Sequence, residues 1–341
     1  MEDKIENILK ANSYKNIKSK YILQRIFANL TENKLLQIVK YNKDIQKELE
    51  KDINDYIKYF KKVIIKIIPI NKKDKNSRNE KEDDNSNKIE DKNFSYIEEK
   101  LNKNYFIKYK EEEKQYYHIY FNNDKEEKHR NYFTEGENVT KIIIIIDEQI
   151  KSFEKLFYNC ECIEKINFIK FKRKDINNMS WMFYGCSSLK EINIKNWNTN
   201  NVTHMVYMFG ECSSLKELNL NNFTTNNVSD MSGLFYKYSS IKELNLNIFN
   251  TNNVSDMSSM FCGCSTLKEL NLKNFNTNNA ANMGYMFSEC SSLKELNINN
   301  FNINNLTFVV MMFSKCSDEL KNKIRNLGLN IKEEAFKDRW F

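Results

Sequence analysis

The sequence is poor in proline, glycine and histidine, and it has no long apolar run. Its 341 residues include one proline, seven glycines and three histidines, which are His118, His129 and His204. No nucleophile–base pair, phosphate-binding loop or pair of catalytic carboxylates emerges around them, so we expect that the protein is not an enzyme. No stretch stays apolar for 18 residues, and the run Ile142–Ile146 is far too short to span a bilayer.

The start of the chain and its charge distribution argue against export and against nucleic-acid binding. The first residues have neither a basic nor an apolar signal-peptide region, so we expect a cytoplasmic protein. The net charge is +7, but residues 179–308 hold eight lysines and nine acidic residues. A nucleic-acid-binding surface would need a basic stripe there. We therefore expect neither nucleic acid nor a membrane span.

The chain is rich in internal repetition. Five 26-residue units begin at Met179, Met205, Met231, Met257 and Met283. A degenerate unit precedes them at Phe153, and a truncated unit follows and ends at Cys316. A period of 20–29 residues is typical of leucine-rich-type units, which bury their apolar face by stacking on one another.

Each unit contains two apolar patterns. In one unit the residues Val254, Met257, Met260, Phe261 and Cys264 follow the spacing of a short helix, whereas Leu267, Leu270 and Leu272 follow that of a strand. The sequence therefore predicts an α/β fold. It would be a leucine-rich-repeat-type solenoid of six 26-residue strand-loop-helix units with caps, preceded by a small helical domain and a small β-rich element.

Six of the eight cysteines share one position in the unit. They are Cys160, Cys186, Cys212, Cys264, Cys290 and Cys316, and Tyr238 takes their place in one unit. A residue that recurs once per unit predicts a buried apolar column. Stacking would bring the sulfurs within disulfide reach (~5 Å), but a cytosolic location favours free thiols. The spacing indicates no metal site, and we expect no cofactor.

The composition divides the chain into four parts. Residues 1–61 are predicted to form a helical domain, and residues 62–150 a small β-rich element with a disordered loop at 71–93. The repeats occupy 151–316, and a helical cap occupies 317–341.

The unit Cys-Ser-Ser-Leu-Lys-Glu-Leu-Asn-Leu, followed by Asn-Phe-Asn-Thr-Asn-Asn-Val-Ser-Asp-Met-Ser-Ser-Met-Phe, resembles the BspA-like leucine-rich repeat family over about 153–316. This resemblance implies a non-catalytic protein that binds another protein. Many bacterial members are secreted or lipid-anchored adhesins, so a surface antigen or adhesin of BspA type is an alternative function.

The N-terminal helices have a second resemblance. Leu23, Ile26, Phe27 and Leu30 follow a spacing similar to the F-box pattern, which docks an Skp1-like adaptor. It implies a substrate receptor of a cullin-type ubiquitin ligase. A plain amphipathic helical hairpin would show much of the same spacing.

Two faces of the units are candidate partner sites. In the strand, Leu270 and Leu272 are predicted to point inward, and Glu269 and Asn271 outward. The sequence Lys-Glu-Leu-Asn is the same in four units, which favours a solvated surface on the outward side. Aromatic residues vary more from unit to unit on the predicted helix side, namely Trp181, Tyr184, Tyr207, Tyr236 and Tyr285. Tyrosine and tryptophan are enriched in binding hot spots, so these five residues are predicted to contact a protein partner of unknown identity. Aromatic packing between neighbouring units is the alternative, and we expect a monomer.

The inward and outward positions can be tested by two neighbouring substitutions. Leu244→Ala should lower the free energy of unfolding by about 2–5 kcal/mol because it leaves a cavity in the middle of the array. Lys242→Ala should lower it little, because its side chain is predicted to be exposed. Similar losses in denaturant unfolding would contradict the assignment of these positions.

Overall fold

The computed structural model describes residues 61–70, 103–134, 136–195, 197–303 and 308–339. The chain divides into two compact units, residues 1–62 and residues 63–341. The predicted N-terminal helices and the loop at 71–93 lie outside the described residues, so the description below concerns the second unit.

Short strands and turns make up most of this unit. The strands are β1 (Val63–Pro69), β2 (Lys103–Tyr105), β3 (Tyr117–Phe121), β4 (Tyr132–Thr134), β5 (Ile142–Ile146), β6 (Ile163–Lys170), β7 (Glu191–Asn193), β8 (Glu269–Asn271) and β9 (Glu295–Asn297). Among the described residues, the helical elements are a 3-10 helix (Glu111–Tyr116), the α-helix α1 (Asp318–Arg325) and a second 3-10 helix (Glu333–Phe336). The second 3-10 helix lies within the predicted helical cap at 317–341. None of the described helices is long and apolar enough to cross a membrane.

A mixed five-stranded sheet leads into the repeats. Its strand order is β3-β5-β1-β6-β7, and β2–β4 and β8–β9 form two further pairs. Strand β1 lies at the centre of this order, and its alternate residues, such as Ile65 and Ile67, are fully buried. It pairs antiparallel with β5 and β6, whereas β6 pairs parallel with β7. Because β6 belongs to the degenerate first unit, the sheet continues into the repeats without a linker.

Two contacts close the junction between this sheet and the first unit. Arg173 is buried and donates hydrogen bonds to the backbone carbonyls of residues 147, 148 and 150. Burial alone would raise the pKa of the Asp175 carboxyl, but its bonds to Arg173 and Lys151 lower it to about 2. The backbone N–H of Lys108 donates to the carbonyl of Leu156 at 2.7 Å, so residues before the repeats cover the first unit.

A ladder of backbone hydrogen bonds joins each unit to the next. Parallel bridges connect residues 26 apart, in the order Ser152, Asn178, His204, Asp230, Asp256, Asn282 and Phe308. Alternate N–H groups donate to the following unit, as from Ser259 to the carbonyl of Gly284 at 2.9 Å. The residues between them donate within their own unit, as from Met260 to the carbonyl of Met257 at 3.3 Å. We call residues 152–316, joined in this way, the repeat stack.

The predicted strand-loop-helix solenoid is wrong. Within the described repeats there is no α-helix, because the Met-to-Cys segment is a series of turns in which residues such as Ser259 and Gly263 have φ angles of 55° and 75°. Successive turns with hydrogen bonds from residue i to i−3 reproduce the apolar spacing of a helix, which explains the error. Beyond β6, the strand segments are ordered as strands only at β7, β8 and β9, each three residues long.

The inward and outward positions are nevertheless as predicted. Leu270 and Leu272 are buried, whereas Glu269 and Asn271 are exposed. One phenylalanine per unit stacks on the next with ring centroids 5.5–6.1 Å apart, from Phe157 through Phe183, Phe209, Phe235, Phe261 and Phe287 to Phe313.

The predicted cysteine column is buried and consists of free thiols. The sulfur of Cys264 donates to the carbonyl of Phe235 at 3.2 Å. Burial raises the pKa of the Cys264 thiol to about 12 and that of Cys316 to about 11, so both stay protonated at neutral pH. These cysteines therefore behave as small apolar groups that also satisfy a backbone carbonyl.

Two substitutions at Ser259, to glycine and to alanine, distinguish a turn from a helix. The more stable of the two variants differs between the two backbone structures. At a φ of 55°, glycine should be more stable than alanine by about 1 kcal/mol, because alanine is strained there. In a helix the order would be reversed by a similar amount. Both variants lose the serine hydroxyl, so comparing their thermal or denaturant unfolding isolates the backbone effect. A more stable Ser259→Ala would contradict the turn structure.

Candidate functional site

The five aromatic residues predicted from the sequence lie on turns of the repeat stack and are half-buried. Trp181, Tyr207 and Tyr285 occupy the third position of their units, and Tyr184 and Tyr236 occupy the sixth. The third position has a positive φ angle, which is 60° at Trp181 and 50° at Tyr207. The predicted helix side is thus an outer surface of turns.

Four of these residues come together with a fifth that the sequence did not single out. Trp181 stacks on Tyr207 with centroids 4.4 Å apart and lies 4.9 Å from Tyr184. Tyr236 lies 5.3 Å from Tyr207, and Tyr158 stacks on Tyr184 at 5.5 Å. We call Tyr158, Trp181, Tyr184, Tyr207 and Tyr236 the aromatic surface.

Tyr285 lies three units beyond Tyr207 and outside this set, because Gly233 and Ser259 occupy its position in the units between. Tyr158 was missed because its unit is degenerate. Its place at the sixth position of that unit is the signal that could have identified it.

Two glycines accommodate the rings. A Cβ atom added to Gly233 would overlap the ring of Tyr207, and one added to Gly210 would lie 2.7 Å from Cδ2 of Tyr184. Each glycine occupies the position at which another unit carries an aromatic residue. The aromatic surface therefore depends on alternation between large rings and glycines in neighbouring units.

Charged groups border the aromatic surface. The amino group of Lys237 lies 3.9 Å from the carboxylate of Glu211 and 5.2 Å from the centre of the Tyr236 ring. Burial and a hydrogen bond with Glu211 raise the pKa of Tyr184, so its hydroxyl stays protonated at neutral pH. The surface combines apolar ring area with a polar edge.

The strand face is more uniform. Exposed Glu243 and Glu269 line a shallow groove of about 490 Å³ together with Asn245 and Asn271. At the ends of the glutamate column, carboxylates pair with lysines, as in Lys165–Glu191 at 2.9 Å and Lys323–Glu295 at 2.8 Å. Between those ends, Glu243 and Glu269 are surrounded by the same residue types, which gives this face little variation from unit to unit.

The other predicted sites add no further candidate. Leu23, Ile26, Phe27 and Leu30, which were predicted to dock an adaptor, lie outside the described residues. Among the residues that the structure describes, no group of three or more His, Cys, Asp or Glu side chains could hold a metal ion.

Comparison with known proteins places the repeats in a family. No curated protein and no solved structure matches the chain significantly. One family model matches it twice, at residues 151–246 and 234–335. The two matches together span more than half of the chain and cover the repeat stack and the start of the C-terminal region. The chain therefore belongs to the family described as "Mycoplasma protein of unknown function, DUF285".

Proposed function

We propose that this chain is a non-catalytic protein that binds another protein through its aromatic surface. The observation that carries this proposal is the cluster of five half-buried rings in mutual contact on consecutive units. Tyrosine and tryptophan offer large, rigid contact areas with a polar tip, which suits a surface that is wet when free and dry when bound.

The distribution of the rings favours binding over packing. The core has its own aromatic column, in which one phenylalanine recurs in every unit. The aromatic surface is instead confined to four consecutive units. In the next unit, Ser259 and Cys262 occupy the third and sixth positions. The third position has a positive φ angle in every unit, including those with Lys155, Ser259 and Met311, so the turn itself does not require a ring there.

The polar edge also supports a protein partner. Protein interfaces combine an apolar centre with a polar rim, and aromatic residues are enriched in that centre. Glu211 and Lys237 lie at the edge of the aromatic surface, where an interface has its polar rim. The resemblance of the units to BspA-like repeats points to the same function. The adaptor-docking hypothesis concerns residues outside those described, and it stays a prediction.

The double variant Trp181→Ser/Tyr207→Ser tests the surface with little strain. Serine occurs naturally at this position in Ser259, where φ is 55°. If each ring contributes as a hot spot (~2 kcal/mol), the loss of both should lower the affinity for the partner by about 1000-fold. The partner is first identified by photo-cross-linking from position 236, and its binding is then measured by calorimetry.

The matched control is Glu243→Ser/Glu269→Ser on the strand face, which should leave affinity unchanged. Thermal unfolding of each variant shows whether the fold is kept. A partner lost with the glutamate variant and retained by the aromatic variant would place binding on the other face.

A further inference from the structure

The last repeat unit is not followed by another unit, yet the N–H groups that face the C-terminal end of the stack still donate hydrogen bonds. Met311 donates to the carbonyl of Glu334 at 2.9 Å, and Phe313 donates to that of Ala335 at 2.8 Å. In every inner unit these positions donate to a carbonyl 25 residues further along, in the next unit. The short C-terminal segment 332–338, which we call the tail, thus takes the place of a unit.

The tail also continues the side-chain columns. Phe336 stacks on Phe313 with centroids 5.3 Å apart and an interplanar angle of 17°, as the inner phenylalanines stack on one another. The carboxylate of Asp338 accepts from the backbone N–H of Lys315 at 2.6 Å, where inner units offer a carbonyl. The tail imitates a unit with two backbone acceptors, one ring and one carboxylate.

Helix α1 supplies positive charge around the tail. The amino group of Lys321, a nearly buried residue, lies 2.8 Å from the Asp338 carboxylate. The guanidinium of Arg325 lies 4.1 Å from the Phe336 ring centre and hydrogen bonds to Glu333 at 3.1 Å. Hydrogen bonds from the Lys315 backbone and from Lys321 hold the pKa of Asp338 below its usual value. The charges of tail and helix are complementary.

The connection between α1 and the tail is loosely packed at Gly328. Its φ angle is 71°, and no heavy atom lies within 4 Å of the place where a Cβ atom would be. Leu327 beside it is 40% exposed. The open space at Gly328 lets the connection change direction there, but Leu329, Ile331 and Phe336 pack against the core and must leave it when the tail is displaced.

We propose that the end of the repeat stack is a peptide-binding site, the terminal socket, formed by Met311, Phe313, Lys315, Lys321 and Arg325. Its ligand is a segment in which acidic side chains flank a phenylalanine, as Glu333 and Asp338 flank Phe336 in the tail. A second copy of this chain supplies that segment when the socket's own tail is displaced. Such sites bind through main-chain hydrogen bonds and gain specificity from side-chain pockets. The tethered tail has a high effective concentration, so exchange between copies shows only when the tail is weakened.

Two variants test exchange by complementation. Phe336→Asp disables the tail and leaves the socket intact, whereas Lys321→Glu/Arg325→Glu reverses both charges that the socket offers to the tail and leaves the tail sequence intact. Each variant alone should be monomeric by light scattering after size-exclusion chromatography. Their mixture should form a heterodimer, because the open socket accepts the free tail of the other variant. A mixture that stays monomeric at about 100 μM, a concentration well above a micromolar Kd, would overturn the exchange.

A peptide of residues 327–339 tests the socket without a second copy. In fluorescence anisotropy it should bind Phe336→Asp at least tenfold more tightly than it binds the wild-type chain, whose socket is occupied. The same peptide with Phe336→Asp should bind at least tenfold more weakly. If Phe336→Asp fails to fold, Asp338→Ala removes only the carboxylate that accepts from the Lys315 N–H. The peptide should again bind this variant more tightly than it binds the wild-type chain. Equal binding of both peptides, or equal binding to variant and wild type, would overturn the socket.

Discussion

The structure depends on one constraint, namely that every second backbone N–H in the turn segments must find its acceptor in the following unit. An unsatisfied buried N–H is costly, so a turn segment that directs every second donor to the following unit is unstable unless that unit is in register. The repeat of 26 residues provides that register. Once it is set, equivalent side chains lie above one another, and phenylalanine and cysteine columns follow from it.

The same constraint separates the core from the surface available for binding. Positions that face the columns carry nearly the same residue in every unit, because each must fit between two copies of itself. Positions three and six of the turns project outward and are free to vary. The aromatic surface occupies these positions. Its rings pack against glycines of the neighbouring unit, as Tyr207 does against Gly233. In a repeat protein, residues that vary between units therefore indicate a binding surface only at positions that the stacked columns leave free to vary.

Much of this arrangement could be predicted from the sequence. The period identified the register, and alternation within the leucine segment placed Leu270 inside and Glu269 outside. The cysteine column was recognised from its recurrence alone. The predicted helix failed because apolar residues spaced three, three, one and three apart suit either a helix or consecutive turns. The difference lies in backbone angles, and Ser259 gives no sequence signal of its positive φ. Two glycines do signal positive φ angles. Gly233 occupies the same third position in the preceding unit, and Gly263 occupies the seventh position of the unit that contains Ser259.

The hydrogen-bond ladder also gives the stack a direction. In its turn segment, each unit presents N–H donors toward the C-terminal end and carbonyl acceptors toward the N-terminal end, whereas single N–H groups such as that of Ser255 donate back to the preceding unit. The two ends accordingly have different covers, a donor from Lys108 at one and acceptors from the tail at the other. Every inner unit presents the same pair of edges to its neighbours, so a whole unit can be duplicated or removed without altering either cover. Recombination can therefore change the number of units in such a gene while both ends of the stack remain covered.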